Sequence, residues 1–400
     1  MFCRDLNNKK RFLILAFFIT KFDDLVKCFS IILENLIYKS FKVCDHKKII
    51  LVWFITILKD QIILNFIYMN KKNDNLLIIG SEGFLGTILV KKIIKKKHFK
   101  NIVGVDNCLF GSNNNKYKNF KLVRKDYNKL DKNFLKKFNL IVDLANVSND
   151  PSSELDPKFT ITNNYINKKK FYKKLSNIKR YVYASTCSVY GKNKNLVNEK
   201  SKLSPISVYS KSSLNYEKFI KKNKIPFTIL RFGTLFGWSN RMRYDIAINK
   251  LIRDACFEKT IEVLGGEQFR YFCYNETAAE VIEYSLLDKK RKFNNKILNI
   301  GNFNVKIIDL AKKIHSYFGK KVKFKHEKFN TDNRSYKVST KSMNLINKKY
   351  LTNKYINNSI NNTVKKIKSD KFPYAKNKVT INVYSELLNK KWKKLIFMSM

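Results

Sequence analysis

Between residues 76 and 231 the chain repeats one pattern. Apolar runs at 76–79, 101–105, 120–123, 140–145, 180–184 and 226–231 are separated by stretches long enough for a helix. The first such stretch sets Ile88, Leu89, Ile93 and Ile94 at a helical period. Apolar runs alternating with helical spacers predict βαβ units and a parallel sheet. Beyond about residue 241 the order loosens into helices and short strands at 260–263, 297–300 and 322–324, predicting a smaller second lobe. Residues 346–400 are rich in Asn and Lys and weakly patterned.

The first seventy residues read differently. Every glycine lies at or after Gly80 and every proline at or after Pro151. Apolar runs at 12–20, 49–58 and 62–69 are each shorter than the roughly 20 residues a bilayer span needs, and Lys59-Asp60-Gln61 divide the last two. The run at 12–20 follows Lys9-Lys10-Arg11, but Lys21-Phe22-Asp23-Asp24 offer no small-residue cleavage site after it. Met69 stands seven residues before the first buried-strand pattern. Residues 1–68 therefore read as an upstream extension, either outside the natural product or membrane-associating.

Composition narrows the class. With 44% hydrophobic residues over 400 positions the chain can bury a large core, which excludes a wholly disordered chain. The net charge of +50 comes from 81 Lys+Arg against 31 Asp+Glu. It is mostly lysine spread along the chain with abundant Asn and Ile, the reading of a solvated surface, and no nucleic-acid-binding motif accompanies it. The excess still favours an anionic ligand in a cleft. The seven cysteines form no C-x-x-C pair and only four histidines exist, so neither a metal site nor a disulfide framework is expected. Such cysteines suit a reducing compartment, the cytoplasm.

The first strand runs into Gly80-Ser81-Glu82-Gly83-Phe84-Leu85-Gly86 and then a helix. Gly80 makes the turn, Gly83 lets backbone approach a pyrophosphate at the helix N-terminus, and Gly86 permits close packing. Only twelve glycines exist in the chain, so three at this spacing between strand and helix carry weight. The second strand ends in Asp106, twenty residues after Gly86. A carboxylate there accepts from ribose hydroxyls and repels a 2′-phosphate, so the expected cofactor is NAD. Asp126, after the third strand, is placed to meet the adenine edge.

With those residues, Leu144-Ala145, Ser185-Thr186-Cys187-Ser188-Val189-Tyr190-Gly191 and Pro205-Ile206-Ser207-Val208-Tyr209, the chain resembles the extended short-chain dehydrogenase/reductase family, specifically its NAD-dependent nucleotide-sugar epimerases and dehydratases, from about residue 76 to 345. Arg231-Phe232-Gly233-Thr234, Gly265-Gly266-Glu267-Gln268-Phe269-Arg270, Leu298-Asn299-Ile300-Gly301 and Asp332-Asn333-Arg334-Ser335-Tyr336 agree in order. The resemblance implies an α/β fold: a doubly wound Rossmann-type parallel sheet binding NAD over 69–240 and a smaller, mainly substrate-binding α/β lobe over 241–345; the Asn/Lys-rich residues 346–400 beyond it read as a C-terminal tail. It implies Phe84, Leu85, Leu144, Ala145 and Asn164 at the cofactor, and Thr234, Arg270 and Arg334 at a nucleotide-sugar substrate. It further implies a homodimer and a place in surface polysaccharide or glycan precursor synthesis. Arg241 and Arg243 read equally as cleft residues or as a surface salt bridge.

The implied chemistry is hydride transfer through a keto-sugar. Tyr209 takes the hydroxyl proton and Thr186 orients substrate and tyrosine. Where the family has lysine four residues after the tyrosine, this chain has Ser213. The register is secure because Glu217 sits eight after Tyr209, and Lys211 points elsewhere on a helix. A tyrosine left at a pKa of about 10 is ionised to roughly 0.1% at pH 7, so the missing lysine is worth up to about a thousandfold. Family dehydratases carry acidic residues directly after the Thr186 position, whereas Cys187 and Ser188 are neutral. Epimerisation is therefore the leading expectation; dehydratase or reductase chemistry, and a catalytically impaired NAD-binding sensor or partner subunit, stay open. Thr277 replaces an aspartate usual in relatives.

Overall fold

The computed structural model describes residues 74–113, 117–288, 292–328 and 334–399, the side chains of 390–399 excepted. Residues 1–68, with the extension and membrane-association expectations, lie outside the described residues. Seven strands, β1 (Asn75–Ile79), β2 (Asn101–Asp106), β3 (Lys121–Arg124), β4 (Leu140–Asp143), β5 (Arg180–Thr186), β6 (Phe227–Phe232) and β7 (Lys296–Ile300), form one sheet in the order β7-β6-β5-β4-β1-β2-β3. Every pairing in it is parallel. Burial on both faces explains the unbroken apolar run of β1. Leu76 and Ile78 pack into one hydrophobic cluster, while Leu77 and Ile79 pack into another on the opposite face. Strand order reverses direction between β1 and β4, which opens a crevice at the carboxyl ends of those two strands.

The second lobe pairs Phe269–Tyr274 with Phe303–Lys306 and Thr234–Phe236, and Thr260–Leu264 with Lys323–Glu327. The run at 297–300, expected in this lobe, is instead β7 of the main sheet. Its Leu298 pairs with Leu230 of β6, which extends the same parallel ladder.

The C-terminal segment is not a loose tail. Helix Asn353–Lys368 buries Ile356, Ile360 and Ile367 in the second lobe's core, with Val364 packed beside them. Spacings of four, four and three residues put these side chains on one stripe; the intervening Asn and Lys conceal the period in a composition count. A last helix, Thr380–Ser399, follows. Among the described residues no helix is long and apolar enough to cross a membrane, and no cluster of side chains suits a metal.

Candidate active site

A cavity of about 530 Å³ occupies the crevice, within the size range of small-molecule sites. Its floor is the glycine loop. Gly80 has φ +81°, and a Cβ there would lie 2.9 Å from the Ala145 nitrogen and the Leu144 carbonyl carbon. A Cβ on Gly86 would collide with the Gly80 carbonyl oxygen, so only glycine brings α1 (Phe84–Lys96) against the turn. Gly83 is the N-cap of α1 and puts no side chain over its first turn. Gly83, Phe84, Leu85 and Gly86 all line the cavity, as do Leu144 and Ala145. A bare helix N-terminus beside glycines that no other residue can replace fits the diphosphate of a dinucleotide.

Asp106, at the end of β2, also lines the cavity. Its carboxylate accepts from the Glu82 amide at 3.0 Å and the Cys108 amide at 2.8 Å. Burial raises its pKa; those two amides pull it down and the neighbouring Glu82 carboxylate pushes it further up. Two carboxylates here disfavour a 2′-phosphate, which fits NAD. Asp126 also lines the cavity, where its carboxylate caps the turn Tyr127–Lys129 through the Asn128 amide at 3.2 Å. Asn164 departs from expectation. It is fully buried and does not line the cavity. Its amide is used twice by Val147, accepting from the Val147 nitrogen at 2.8 Å and donating to the Val147 carbonyl at 3.0 Å. It therefore holds the loop after β4 in shape and does not reach into the cleft.

Thr186 terminates β5 and Tyr209 stands in the first turn of helix α2 (Val208–Lys221), which Ser207 caps. Both line the cavity and the Thr186 hydroxyl lies against the Tyr209 phenol. Burial pushes that phenol up to about 12; Thr186 and the Arg243 guanidinium pull it down, and Asp150 pushes it up. Ser213, one turn along α2, is fully buried behind the cavity wall beside the Tyr183 phenol, and neither oxygen makes a hydrogen bond within normal geometry. Lys211 is exposed, so it supplies no charge here. Cys187 is buried and its thiol donates to the Arg231 carbonyl at 3.2 Å; burial raises its pKa well above the ordinary range.

Thr234, Arg270 and Arg334 line the same cavity. Arg270 stands over the Tyr336 ring at 5.9 Å and donates to the Arg334 carbonyl, while Arg334 pairs with Asp150. Arg241 and Arg243 are cavity residues, and Arg243 is also in an ion pair, with Asp245 at 2.6 Å. No sequence pattern points to Tyr384, which enters the cavity wall from the last helix, or to the buried pair Lys168–Asp143 at 2.5 Å. Thr277 is buried and shares a hydrogen bond with the Tyr355 hydroxyl at 2.9 Å.

Residues 76–301 match the NAD dependent epimerase/dehydratase family. The chain is 31% identical over 219 residues to an uncharacterized UDP-glucose epimerase of Bacillus subtilis, spanning 50% of this chain and 68% of that one. It is 29% identical over 283 residues to a dTDP-D-glucose 4,6-dehydratase of Dictyostelium discoideum, covering 62% of this chain and 63% of the other. The fold is that of UDP-glucuronic acid 4-epimerase from Bacillus cereus, solved with UDP-glucuronic acid and NAD, at TM-score 0.65 and 23% identity over 74% of this chain and 99% of that one. With the glycine loop, Asp106 and the Thr186–Tyr209 pair set at one crevice of a parallel sheet, and with that match across more than half its length, the chain belongs to the NAD dependent epimerase/dehydratase family.

Proposed function

We propose that the protein inverts one carbon of a nucleotide sugar through a transient keto-sugar, with Tyr209 as base and Thr186 as its hydroxyl partner. The observation that carries this is the shared cavity: Tyr209, Thr186, the glycine loop, Arg270 and Arg334 all line it. NAD, which the glycine loop, Leu144 and Ala145 would hold, would supply the hydride acceptor. Tyr209 takes the proton of the sugar hydroxyl while the hydrogen of the same carbon leaves as hydride; the keto-sugar then presents its other face, hydride returns to the carbonyl carbon on that face and Tyr209 returns the proton to its oxygen, which completes inversion. Arg270 and Arg334 suit the substrate's diphosphate, since guanidinium pairs bidentately with phosphate oxygens. The neutral Cys187 and Ser188 give no acid for a leaving hydroxyl, which supports epimerisation over dehydration. Four described cysteines, all free, fit a reducing cytoplasm, and the resemblance implies a homodimer, which sedimentation tests.

The test is absorbance of reduced nicotinamide when the NAD-loaded protein meets a panel of nucleotide sugars. A signal with one sugar supports oxidation at that sugar. Ser213 favours a second reading, a family member that binds NAD with catalysis impaired. Silence from the natural sequence together with a signal from Ser213→Lys would select it.

A further inference from the structure

Arg241 is 4% exposed although it lines the cavity. Its guanidinium lies 3.9 Å over the Phe110 ring, donates to the Thr380 hydroxyl at 3.0 Å and to the Met242 carbonyl at 3.2 Å. Among the described residues no carboxylate is in ion-pair contact with it; Asp245 and Asp106 act on it at longer range. Burial and the neighbouring Arg243 lower its pKa to about 9. A cation held inside a protein without a counter-ion is costly. Here its free donors border a cavity open to a ligand, and an anion there would offset the cost.

Its position says which anion. Two residues upstream, the Ser239 hydroxyl donates to the Phe84 carbonyl at 2.8 Å and shares a hydrogen bond with Thr87 at 2.7 Å, so this loop crosses the first turn of α1. The C-terminal segment from Asp370 to Tyr384 holds this region as well. The Tyr244 amide donates to the Lys378 carbonyl at 2.7 Å, the Tyr244 hydroxyl to Asp370 at 2.6 Å, and Tyr384 meets Phe110 edge-on at 5.7 Å.

We propose that Arg241 binds the diphosphate of the dinucleotide, brought to the cleft by the second lobe and held there by Thr380. The inference rests on the NAD reading above. It makes the C-terminal segment part of the cofactor site.

Calorimetric titration of the full chain with NAD, and separately with UDP as a probe of the Arg270–Arg334 end, tests it. Charge-assisted hydrogen bonds contribute about 1.5–3 kcal/mol, so Arg241→Ala should raise the NAD Kd about tenfold to a hundredfold. Arg241→Lys should fall between, Thr380→Val should cost several-fold, and the UDP Kd should stay within about twofold. Unchanged NAD affinity in Arg241→Ala overturns the proposal. So does loss confined to UDP, which would give the guanidinium to the substrate, and so does tighter NAD binding in Thr380→Val, which would make the segment a plug. Failure of the unaltered protein to bind NAD would instead sink the functional reading. If Arg241→Ala does not fold, Arg241→Lys and Thr380→Val decide the matter.

Discussion

Ser213 and Tyr183 sit side by side wholly inside the protein, where the family's lysine would give Tyr209 a cation. The consequence is a scarce base. With the phenol pushed up to about 12, its ionised fraction at pH 8 is on the order of 0.01%. Single-turnover NADH formation should therefore climb about tenfold per pH unit between pH 7 and 10. Ser213→Lys should raise the rate at pH 7 and bring the plateau to lower pH. Stopped-flow absorbance reads both, and a flat profile in the natural sequence would rule out Tyr209 as base.

Arg243 pulls the Tyr209 phenol down from across the cavity. Removing it alone would strand Asp245, whose carboxyl it holds at about 2. The pair Arg243→Gln with Asp245→Asn keeps the site neutral and hydrogen-bonded. It should slow hydride transfer at pH 8, on the order of tenfold for each unit the phenol rises, while the profile moves to higher pH. Loss of rate without that movement would mean the pair serves only to shape the cavity.

The glycine loop and Asp106 were legible in the sequence because each sits at a fixed offset from a strand end, and the strands announce themselves as apolar runs; Thr186 and Tyr209 were legible only through the family resemblance of the motifs that contain them. Asn164 was legible as a position but not in its contacts, since an amide in a helix can reach the cleft or the Val147 backbone equally well. Arg241 and Tyr384 could not be paired from sequence, because 142 intervening residues separate them and only the folded C-terminal segment brings them to one wall. The isoleucine stripe of the helix 353–368 was present but diluted by Asn and Lys.

Lys168 and Asp143 form a buried pair, with Tyr181 donating to the second carboxylate oxygen at 2.6 Å. The ammonium also lies 4.9 Å from the Tyr183 ring centre. Breaking one side strands a buried charge, so Lys168→Met should destabilise by about 3–5 kcal/mol. Adding Asp143→Asn removes the stranded charge and leaves an acceptor for Tyr181, so the double variant should be more stable than the single one. Urea unfolding checks the order; a double variant weaker than Lys168→Met would show that the carboxylate is held mainly by Tyr181. The same ammonium makes Ser213→Lys costly in stability, since it would bring a second cation close to Tyr183.

Ile360 is fully buried on the helix 353–368, while Lys366 on the same helix is exposed. If that helix completes the second lobe's core, Ile360→Ala should cost about 2–5 kcal/mol through lost burial and a residual cavity. Lys366→Ala should stay within about 0.5 kcal/mol, as exposed positions do. Urea unfolding of both variants measures the contrast. A detached tail would leave the two curves superimposed, and the position of Thr380 beside Arg241 would then lose its support, because the chain reaches the cleft only through this helix.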